Sequence, residues 1–212
     1  MKKLIVIGAG GYAKSVLDSV DYMNFHMIGY IDDIKPQGAI HQGYPILGNT
    51  IDCVENPEQY VYFVAIGNNA KRKVWFDKLK ERQLSLINVI DKSALVSSAA
   101  TIGEGCFIGK LAILNHGSSV GDNCVINTRA LIEHGCSIKN HVNLSTNSTL
   151  NGDVVCEDGS FIGSGTVVNG QLTIGKWALV GSGAVVIRDV KDHTVVVGVP
   201  AKEIKSDNHK YN

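Results

Sequence analysis

The chain has 212 residues, 44% hydrophobic and 19% charged, and its 20 basic residues balance its 20 acidic ones. This composition predicts a soluble globular protein and gives no electrostatic reason to expect a nucleic acid or an anionic membrane as partner. No apolar run reaches the roughly 18 residues of a membrane span, the apolar start breaks at Gly8, and the five cysteines form no CxxC pair. We therefore expect a cytoplasmic protein with reduced thiols and no membrane insertion.

Residues 1–92 alternate between strand and helix patterns. The run KLIVIGAGG predicts a buried strand ending in a glycine-rich turn, and a helix from Tyr12 to Met23 follows it. The segments MIGYIDD and VYFVAIGNN predict two further strands, NAKRKVWFDKLKERQ predicts an amphipathic helix, and LSLINVID predicts a closing strand. This order predicts a small α/β domain with a Rossmann-like parallel sheet.

The loops after these strands carry candidate binding residues. Three of them (residues 8–12, 32–33 and 67–69) should meet at the carboxyl edge of the sheet, where such folds bind ligands. The stretch GAGGYA fits a permissive dinucleotide fingerprint, because bare backbone at a helix N-terminus can receive a phosphate. The α/β domain is only about half the size of a full dinucleotide-binding fold, so it suits a single nucleotide or a sugar better than NAD. The alternative is a turn that merely needs glycine.

From residue 93 onward the sequence has a period of six. Every sixth position from Val96 to Val186 is Ile, Val or Leu, except for Cys156, and no insertion interrupts the series. Gly or Asn often follows the aliphatic residue, as at Gly103 and Gly109, and there we expect tight corners with positive φ. The pattern predicts an all-β parallel β-helix over residues 93–190, followed by a C-terminal tail over residues 191–212.

The repeat resembles the left-handed β-helix of hexapeptide acyltransferases, in which three hexads form one triangular coil. On that geometry His116 and His134, which are 18 residues apart, lie at one corner on adjacent coils. Glu133 either orients the His134 imidazole or simply forms part of the corner. Some such β-helices bind zinc through an HxxxxH pair. Here Lys139 and Gly121 stand five residues after the two histidines, so the sequence predicts no metal site.

The whole chain resembles the sugar acetyltransferases that combine an N-terminal nucleotide-sugar domain with a C-terminal left-handed β-helix. The resemblance rests on the segments IGAGGYAKS, GYIDD, VAIGNNAKRK, INTRALIEH, GSGAVVIRDV and GVPAK. The stretches FIGKLAILN, NLSTNSTLNGDV and VVNGQLTIG look most like the sialic acid O-acetyltransferases of the NeuD type.

The resemblance implies an acetyl-CoA-dependent homotrimer acting in surface polysaccharide (capsule) biosynthesis, with His134 as the general base. A neutral imidazole can take a proton from a sugar hydroxyl or amine. His116 and Glu133 are the other catalytic candidates. The resemblance also implies two sets of binding residues. The set for the sugar or nucleotide is Gly10, Gly11, Tyr12, Asp32, Asp33, Gly67 and Lys110. The set for acetyl-CoA is Asn143, Ser164 and Ser182.

Two departures from the family pattern bear on the acceptor. Members that N-acetylate 4-amino sugars carry an acid directly after the histidine and a second histidine nine residues on, whereas this chain has Gly135 and Asn143 there. These changes favour O-acetylation of sialic acid or of its nucleotide-activated form. The alternatives are N-acetylation of a nucleotide-linked 4-amino sugar and a non-catalytic trimeric scaffold that binds a nucleotide sugar.

Overall fold

The computed structural model describes residues 1–204, which form an α/β domain followed by a left-handed parallel β-helix. The α/β domain contains one six-stranded sheet in the order β3-β4-β2-β1-β5-β6. All of its pairings are parallel except the β3–β4 hairpin. Its elements are β1 (Lys2–Ile7), α1 (Gly11–Leu17), β2 (Phe25–Ile31), β3 (Ile40–His41), β4 (Tyr44–Gly48), two 3₁₀ turns (Ile51–Cys53 and Pro57–Gln59), β5 (Tyr60–Val64), α2 (Asn69–Glu81) and β6 (Ser85–Leu86).

The first helix is shorter than the sequence indicated, because it ends at Leu17 and not at Met23. Beyond it, the Asp21 carboxylate accepts hydrogen bonds from the Met23 backbone N–H and the Asn24 side chain. Such a side-chain turn competes with helix continuation. The β3–β4 hairpin was not predicted at all, since its first strand has only two residues.

The β-helix is a triangular prism, and we name its faces by their strands. Face A holds β7 (Val89–Ile90), β10 (Phe107–Ile108), β13 (Val125–Ile126), β16 (Asn143–Leu144), β19 (Phe161–Ile162), β22 (Leu179–Val180) and β24 (Val195–Val197), with β25 (Lys202–Ile204) antiparallel at its end. Face B holds β8 (Leu95–Val96), β11 (Ile113–Leu114), β14 (Leu131–Ile132), β17 (Thr149–Leu150), β20 (Val167–Val168) and β23 (Val185–Val186). Face C holds β9 (Thr101–Ile102), β12 (Ser119–Val120), β15 (Ser137–Ile138), β18 (Val155–Cys156) and β21 (Thr173–Ile174).

Every sixth side chain of the hexapeptide repeat points into the core of the β-helix. Residues 18 apart pair as parallel neighbours, for example Leu114 with Ile132, so each aliphatic position stacks on its equivalent in the next coil. From Ile108 to Val186 every sixth side chain is at most 3% exposed. Val96 is 38% exposed, because its coil lies at the open end of the prism. The core of the β-helix is therefore one continuous aliphatic column.

The glycines after the aliphatic residues have a different role from the one expected. Positive φ occurs two places further on, as at Gly105 (φ 68°) and Leu111 (φ 56°). Gly103 and Gly109 have no positive φ, but a Cβ on either would collide with the following coil, and the Cβ of residue 109 would lie 2.9 Å from the Thr128 backbone nitrogen. Close approach of successive coils therefore requires these glycines, and the left-handed backbone lies elsewhere in the corner.

Both ends of the β-helix extend beyond the expected residues 93–190. The segment LSLINVID is not one closing strand, because Ser85–Leu86 joins the α/β sheet and Val89–Ile90 joins face A. Asn88 lies between them and binds the first coil through the Gly103 carbonyl oxygen and the Cys106 N–H. At the other end β24 pairs with β22, so part of the predicted tail is sheet. Residues 205–212 of that tail lie outside the described residues.

The α/β domain packs on face A and on the corner between faces C and A. Phe107 and Val125 of face A share one core with β1 and α1. Arg72 of α2 is 1% exposed, and its guanidinium donates to the carbonyl oxygens of Asn123 (3.1 Å) and His141 (2.9 Å) at that corner. Within residues 1–204, no helix is both long and apolar enough to cross a bilayer.

Candidate functional site

The α/β domain has a cavity of about 660 Å³ at the carboxyl edge of its sheet. The parallel strands β1, β2 and β5 end there, and their loops form its walls, as the strand order predicted. Six of the seven residues expected to bind sugar or nucleotide line this cavity, namely Gly10, Gly11, Tyr12, Asp32, Asp33 and Gly67. A Cβ on Gly10, Gly11 or Gly67 would meet no atom within 4 Å, so their backbone is open to a ligand.

Asp32 and Asp33 differ in what they can offer a ligand. The Asp32 carboxylate accepts backbone N–H bonds from Ala9 (2.6 Å), Lys35 (2.8 Å) and Ile34 (3.0 Å), which tie two loops together. Burial raises the pKa of Asp32, but these N–H donors outweigh it and hold the pKa below its ordinary value. Asp33 is exposed in the cavity, so it is the carboxylate that a ligand can reach.

Tyr12 is part of the cavity wall and of the contact between the domains. Its ring meets the Phe107 ring edge-on, with 5.5 Å between centroids. Its hydroxyl is buried with no hydrogen-bond partner among the described residues, and burial raises the pKa of Tyr12. The hydroxyl therefore belongs to the domain interface, and only the rest of the side chain faces the cavity.

Sequence reasoning missed the helical wall of the cavity. Lys71, Val74, Trp75 and Lys78 of α2 line it, and the Lys78 ammonium lies 5.0 Å from the centre of the Trp75 ring. These positions have the i, i+3, i+4, i+7 spacing of one helix face, a signal that could have identified them. The wall combines an aromatic surface with two ammonium groups.

Lys110 does not lie with the other predicted binding residues. Its ammonium pairs with the Asp18 carboxylate, and this hydrogen bond raises the pKa of Lys110. Both residues line a separate open crevice between α1 and the first coils of the β-helix. The expectation that Lys110 joins the sugar site is not met in this chain.

His116 and His134 stack at the corner between faces B and C, on adjacent coils. The two coils are joined here by a hydrogen bond from the Gly135 N–H to the His116 carbonyl oxygen (3.2 Å). Both side chains are exposed. The His134 imidazole lies over Gly152 of the next coil, where a Cβ would come within 2.7 Å of its Nε2 atom, so Gly152 makes room for the ring.

Glu133 does not orient this imidazole. Its carboxylate accepts a hydrogen bond from the Asn115 side-chain amide (3.0 Å), one coil before it. The His134 ring leans the opposite way, toward the coil after it. Among residues 1–204, no hydrogen bond joins the two side chains, and sequence adjacency had suggested a pairing that the coil geometry does not make.

The expected acetyl-CoA residues lie along one edge of the prism. Ser164 and Ser182 are exposed on consecutive coils at the corner between faces A and B, where the Gly183 N–H donates to the Ser164 carbonyl oxygen (2.8 Å). Gly165 and Gly183 leave the backbone of this corner uncovered. Asn143 lies beside the same edge on face A and is 7% exposed.

No group of three or more His, Cys, Asp and Glu residues that could hold a metal ion occurs in residues 1–204. The buried thiols belong to the core, where Cys106 and Cys124 are 0% exposed.

Two family models match the chain. Residues 3–79 match the PglD N-terminal domain, and residues 99–133 match the bacterial transferase hexapeptide (six repeats). The first match covers most of the α/β domain with its cavity, and the second covers the corner that carries His116 and ends at Glu133, one residue before His134.

Solved structures similar to the whole chain include acetyltransferases bound to CoA or acetyl coenzyme A. The acetyltransferase domain of PglB from Neisseria gonorrhoeae FA1090, in complex with acetyl coenzyme A, is 33% identical over 96% of this chain and 99% of that one, with a TM-score of 0.90. A variant of perosamine N-acetyltransferase from Caulobacter crescentus, in complex with CoA and GDP-perosamine, is 31% identical over 97% and 98%, with a TM-score of 0.92. WeeI from Acinetobacter baumannii AYE is 26% identical over 96% and 100%, with a TM-score of 0.87.

Proposed function

This chain belongs to the family of acetyl-CoA-dependent sugar acetyltransferases in which a PglD N-terminal domain precedes hexapeptide repeats, and from that premise we propose that it N-acetylates an amino sugar linked to a nucleotide. The observation that carries the proposal is the cavity of the α/β domain, which has the volume and the mixed lining of a nucleotide site. The similarity to an N-acetyltransferase of GDP-perosamine extends over nearly the whole chain.

We propose a role for each wall of the cavity. Trp75 offers a flat apolar surface on which a base can stack, and Lys71 and Lys78 bring two positive charges for a diphosphate. The open backbone at Gly10 and Gly11 lets phosphate oxygens approach its N–H groups. Asp33 can accept hydrogen bonds from ribose or sugar hydroxyls.

His134 acts as the general base of this proposal. Its imidazole takes a proton from the acceptor amino group as the nitrogen bonds to the acetyl carbonyl carbon. The carbon–sulfur bond then breaks, and the imidazolium gives its proton to the departing sulfur, which releases CoA as the thiol. Acetyl-CoA supplies the acetyl group as a reactive thioester. We assign His116, at the equivalent position one coil earlier, to substrate contact.

The edge between faces A and B fits acetyl-CoA as the co-substrate. Glycines at residues 165 and 183 leave free space along it, and the Ser164 and Ser182 hydroxyls can donate to an extended cofactor chain. Acetyl-CoA is a cytoplasmic metabolite, so the proposal places the reaction in the cytoplasm.

We propose a homotrimer because one face of the β-helix is apolar and uncovered. The outward residues of face B are mostly aliphatic and incompletely buried, namely Leu95, Ile113, Leu131, Thr149, Val167 and Val185. Face A is covered in part by the α/β domain, and face C is mainly Thr and Ser. Three copies packed through face B would bury the aliphatic surface.

This packing would also complete the active site. Face B is flanked on one side by the corner with His134 and on the other by the edge with Ser164 and Ser182. Around a threefold axis, the histidine corner of one subunit meets the serine edge of the next. The α/β cavity lies near the third corner, so one chain alone keeps it apart from His134.

The test is an acetyl-transfer assay with a panel of acceptors. The purified protein is incubated with acetyl-CoA and with nucleotide-linked 4-amino sugars, free sialic acid and nucleotide-activated sialic acid, and thiol release and product mass are measured. We expect an alkali-stable acetyl amide on a nucleotide-linked amino sugar. If none of the acceptors on the panel causes release of thiol, the proposal is contradicted.

The second candidate is O-acetylation of sialic acid or its nucleotide-activated form, in surface polysaccharide (capsule) biosynthesis. It is favoured by Gly135 and Asn143, which depart from the N-acetyltransferase pattern, and by the stretches similar to the NeuD type. The same assay separates the two, because an acetyl ester on sialic acid is lost in mild alkali and an amide is not.

A further inference from the structure

We propose that Asp153 is the carboxylate that positions the His134 imidazole, an inference that rests on the proposed role of His134 as base. Asp153 is 19 residues from His134 in sequence and belongs to the next coil. No acid follows the histidine in the chain, so the orienting group comes from the coil stacked beneath it.

The corner geometry brings the two residues together. The Asp153 backbone N–H donates to the His134 carbonyl oxygen (2.9 Å), so they are direct neighbours across two coils. The imidazole leans toward the Asp153 coil, over Gly152. The Asp153 carboxylate leans back toward the histidine coil, and a Cβ on Gly135 would collide with its Oδ1 atom. Each side chain thus leans toward the coil of the other.

Asp153 occupies the place that an acid at position 135 would fill. Gly135 (φ 68°) and Asp153 (φ 62°) are equivalent positions in successive coils, both with left-handed backbone. Because residue 135 has no side chain, the space above Asp153 is open to its carboxylate. The glycine that seemed to remove an acid from the site instead admits one from the neighbouring coil.

Both partners are free to pair. Asp153 and His134 are exposed, and within residues 1–204 neither side chain makes a hydrogen bond. Glu133 is already held by Asn115 on the other side. A rotation of exposed side chains lets the Asp153 carboxylate accept from one ring nitrogen, which leaves the other nitrogen unprotonated toward the acceptor. Asp153 is therefore a positioning residue and does not itself touch substrate.

The first experiment compares Asp153→Asn with the matched control Glu133→Gln at pH 8. We expect Asp153→Asn to lower kcat by roughly 10- to 100-fold, with KM for acetyl-CoA and acceptor unchanged, because binding is intact and only the orientation of the base is lost. Glu133→Gln should lower kcat less than Asp153→Asn does, because the Glu133 carboxylate is held by Asn115 on the other side. Full kcat in Asp153→Asn, or an equal loss in both variants, would overturn the inference.

A double variant that exchanges residues 135 and 153 moves the carboxylate from one coil to the other without changing its chemical type. In Gly135→Asp/Asp153→Gly the carboxylate moves to the other coil, where aspartate tolerates the left-handed backbone and no longer meets the Asp153 side chain. We expect its kcat to exceed that of Asp153→Gly alone by roughly 10-fold. A double variant that folds and is no better than the single variant would count against the inference.

The pairing can also be measured without catalysis. The ¹⁵N resonances of the His134 imidazole report its tautomers, and we expect one tautomer to predominate in the wild-type protein and in Glu133→Gln but not in Asp153→Asn. If the wild-type protein acetylates none of the acceptors, the proposed function fails, and these resonances still decide the pairing. Identical tautomer populations in all three proteins would refute it.

Discussion

His134, Glu133 and Asp153 lie at one corner of the β-helix, and their side chains point in different directions along its axis. Glu133 reaches back to Asn115, whereas the imidazole leans forward over Gly152. Residues adjacent in sequence are therefore separated in space, and residues one coil apart are brought together. A coil of 18 residues explains why side-chain partners here follow that spacing rather than chain neighbourhood.

His134→Ala should lower kcat by about 10²- to 10⁴-fold, the usual share of a general base. His134 is exposed and makes no side-chain hydrogen bond within residues 1–204, so the melting temperature should hardly change. The matched control is His116→Ala, at the equivalent corner one coil earlier, with a smaller loss. Steady-state kinetics of both variants check this, and equal small losses would place the base elsewhere.

The lowered pKa of the buried His141 imidazole predicts that the stability of the fold depends on pH. His141 is 8% exposed, its ring Nδ1 accepts a hydrogen bond from the Asn123 side-chain amide (2.9 Å), and its pKa is lowered by burial and then by Lys73. Since the folded pKa lies below the unfolded value near 6.5, the unfolded chain binds the proton first, and this contribution to stability is lost as pH falls from about 6.5 through the folded pKa.

The measurement is the urea midpoint between pH 8 and pH 5 for the wild-type protein and for His141→Asn. Asparagine tolerates the backbone at this position, where φ is 62°. We expect the variant to lose less stability than the wild type between pH 6.5 and pH 5. Parallel curves would show that His141 does not titrate in this range.

At the scale of the elements, α2 connects the cavity to the β-helix. One face of the helix carries Lys71, Trp75 and Lys78 into the cavity. From the same helix, Arg72 donates to two corner carbonyls of the β-helix and to the Ile66 and Gly67 carbonyl oxygens (3.3 Å each). The guanidinium thus holds the cavity loop, the helix and the prism in one arrangement.

Arg72→Met should lower the free energy of unfolding by at least about 2 kcal/mol, because methionine fills the space but leaves buried carbonyl oxygens without a donor. It should also weaken nucleotide-sugar binding, since the Gly67 loop loses its anchor. The control is Lys73→Met on the same helix, whose exposed pair with Asp77 contributes less than about 1 kcal/mol. Urea unfolding of both variants decides it, and an Arg72→Met protein as stable as the control would be the contrary result.

At the scale of the whole molecule, the proposed trimer depends on which face of the prism is apolar. Outward positions alternate with the core positions in every strand, so a single side chain per coil determines the character of each face. Face B presents aliphatic residues, while face C presents mainly hydroxyl groups. The proposed trimer would link assembly to catalysis, because the two edges that flank face B hold His134 and the serine pair.

Val167→Asp on face B should convert the trimer to a monomer and abolish acetyl transfer, because a charge would be buried in each of the three contacts. Val155→Asp is the matched control, since it makes the same change at an outward position of face C. Light scattering and the transfer assay check both variants. A monomer mass for the wild-type protein with transfer intact would refute the proposed assembly.

The sequence by itself determined the repeat, the fold class and the histidine column. The six-residue aliphatic period predicted a parallel β-helix with Ile108 to Val186 in its core. The resemblance to hexapeptide acyltransferases implied the three-faced coil that places His134 at a corner. The loop residues of the cavity were also predictable, because the carboxyl ends of parallel strands meet at one edge, whereas its helical wall was missed.

Only the tertiary structure decided what depends on contacts between coils and between domains. The end of α1 at Leu17, the division of LSLINVID between two sheets and the pairing of Lys110 with Asp18 each follow from packing that no local pattern records. The partner of the His134 side chain is likewise decided by contacts between coils. Chain adjacency suggested Glu133, whereas the geometry points to Asp153, because in a coiled fold the nearest side chains are those one turn away and the chain's own order places them far apart.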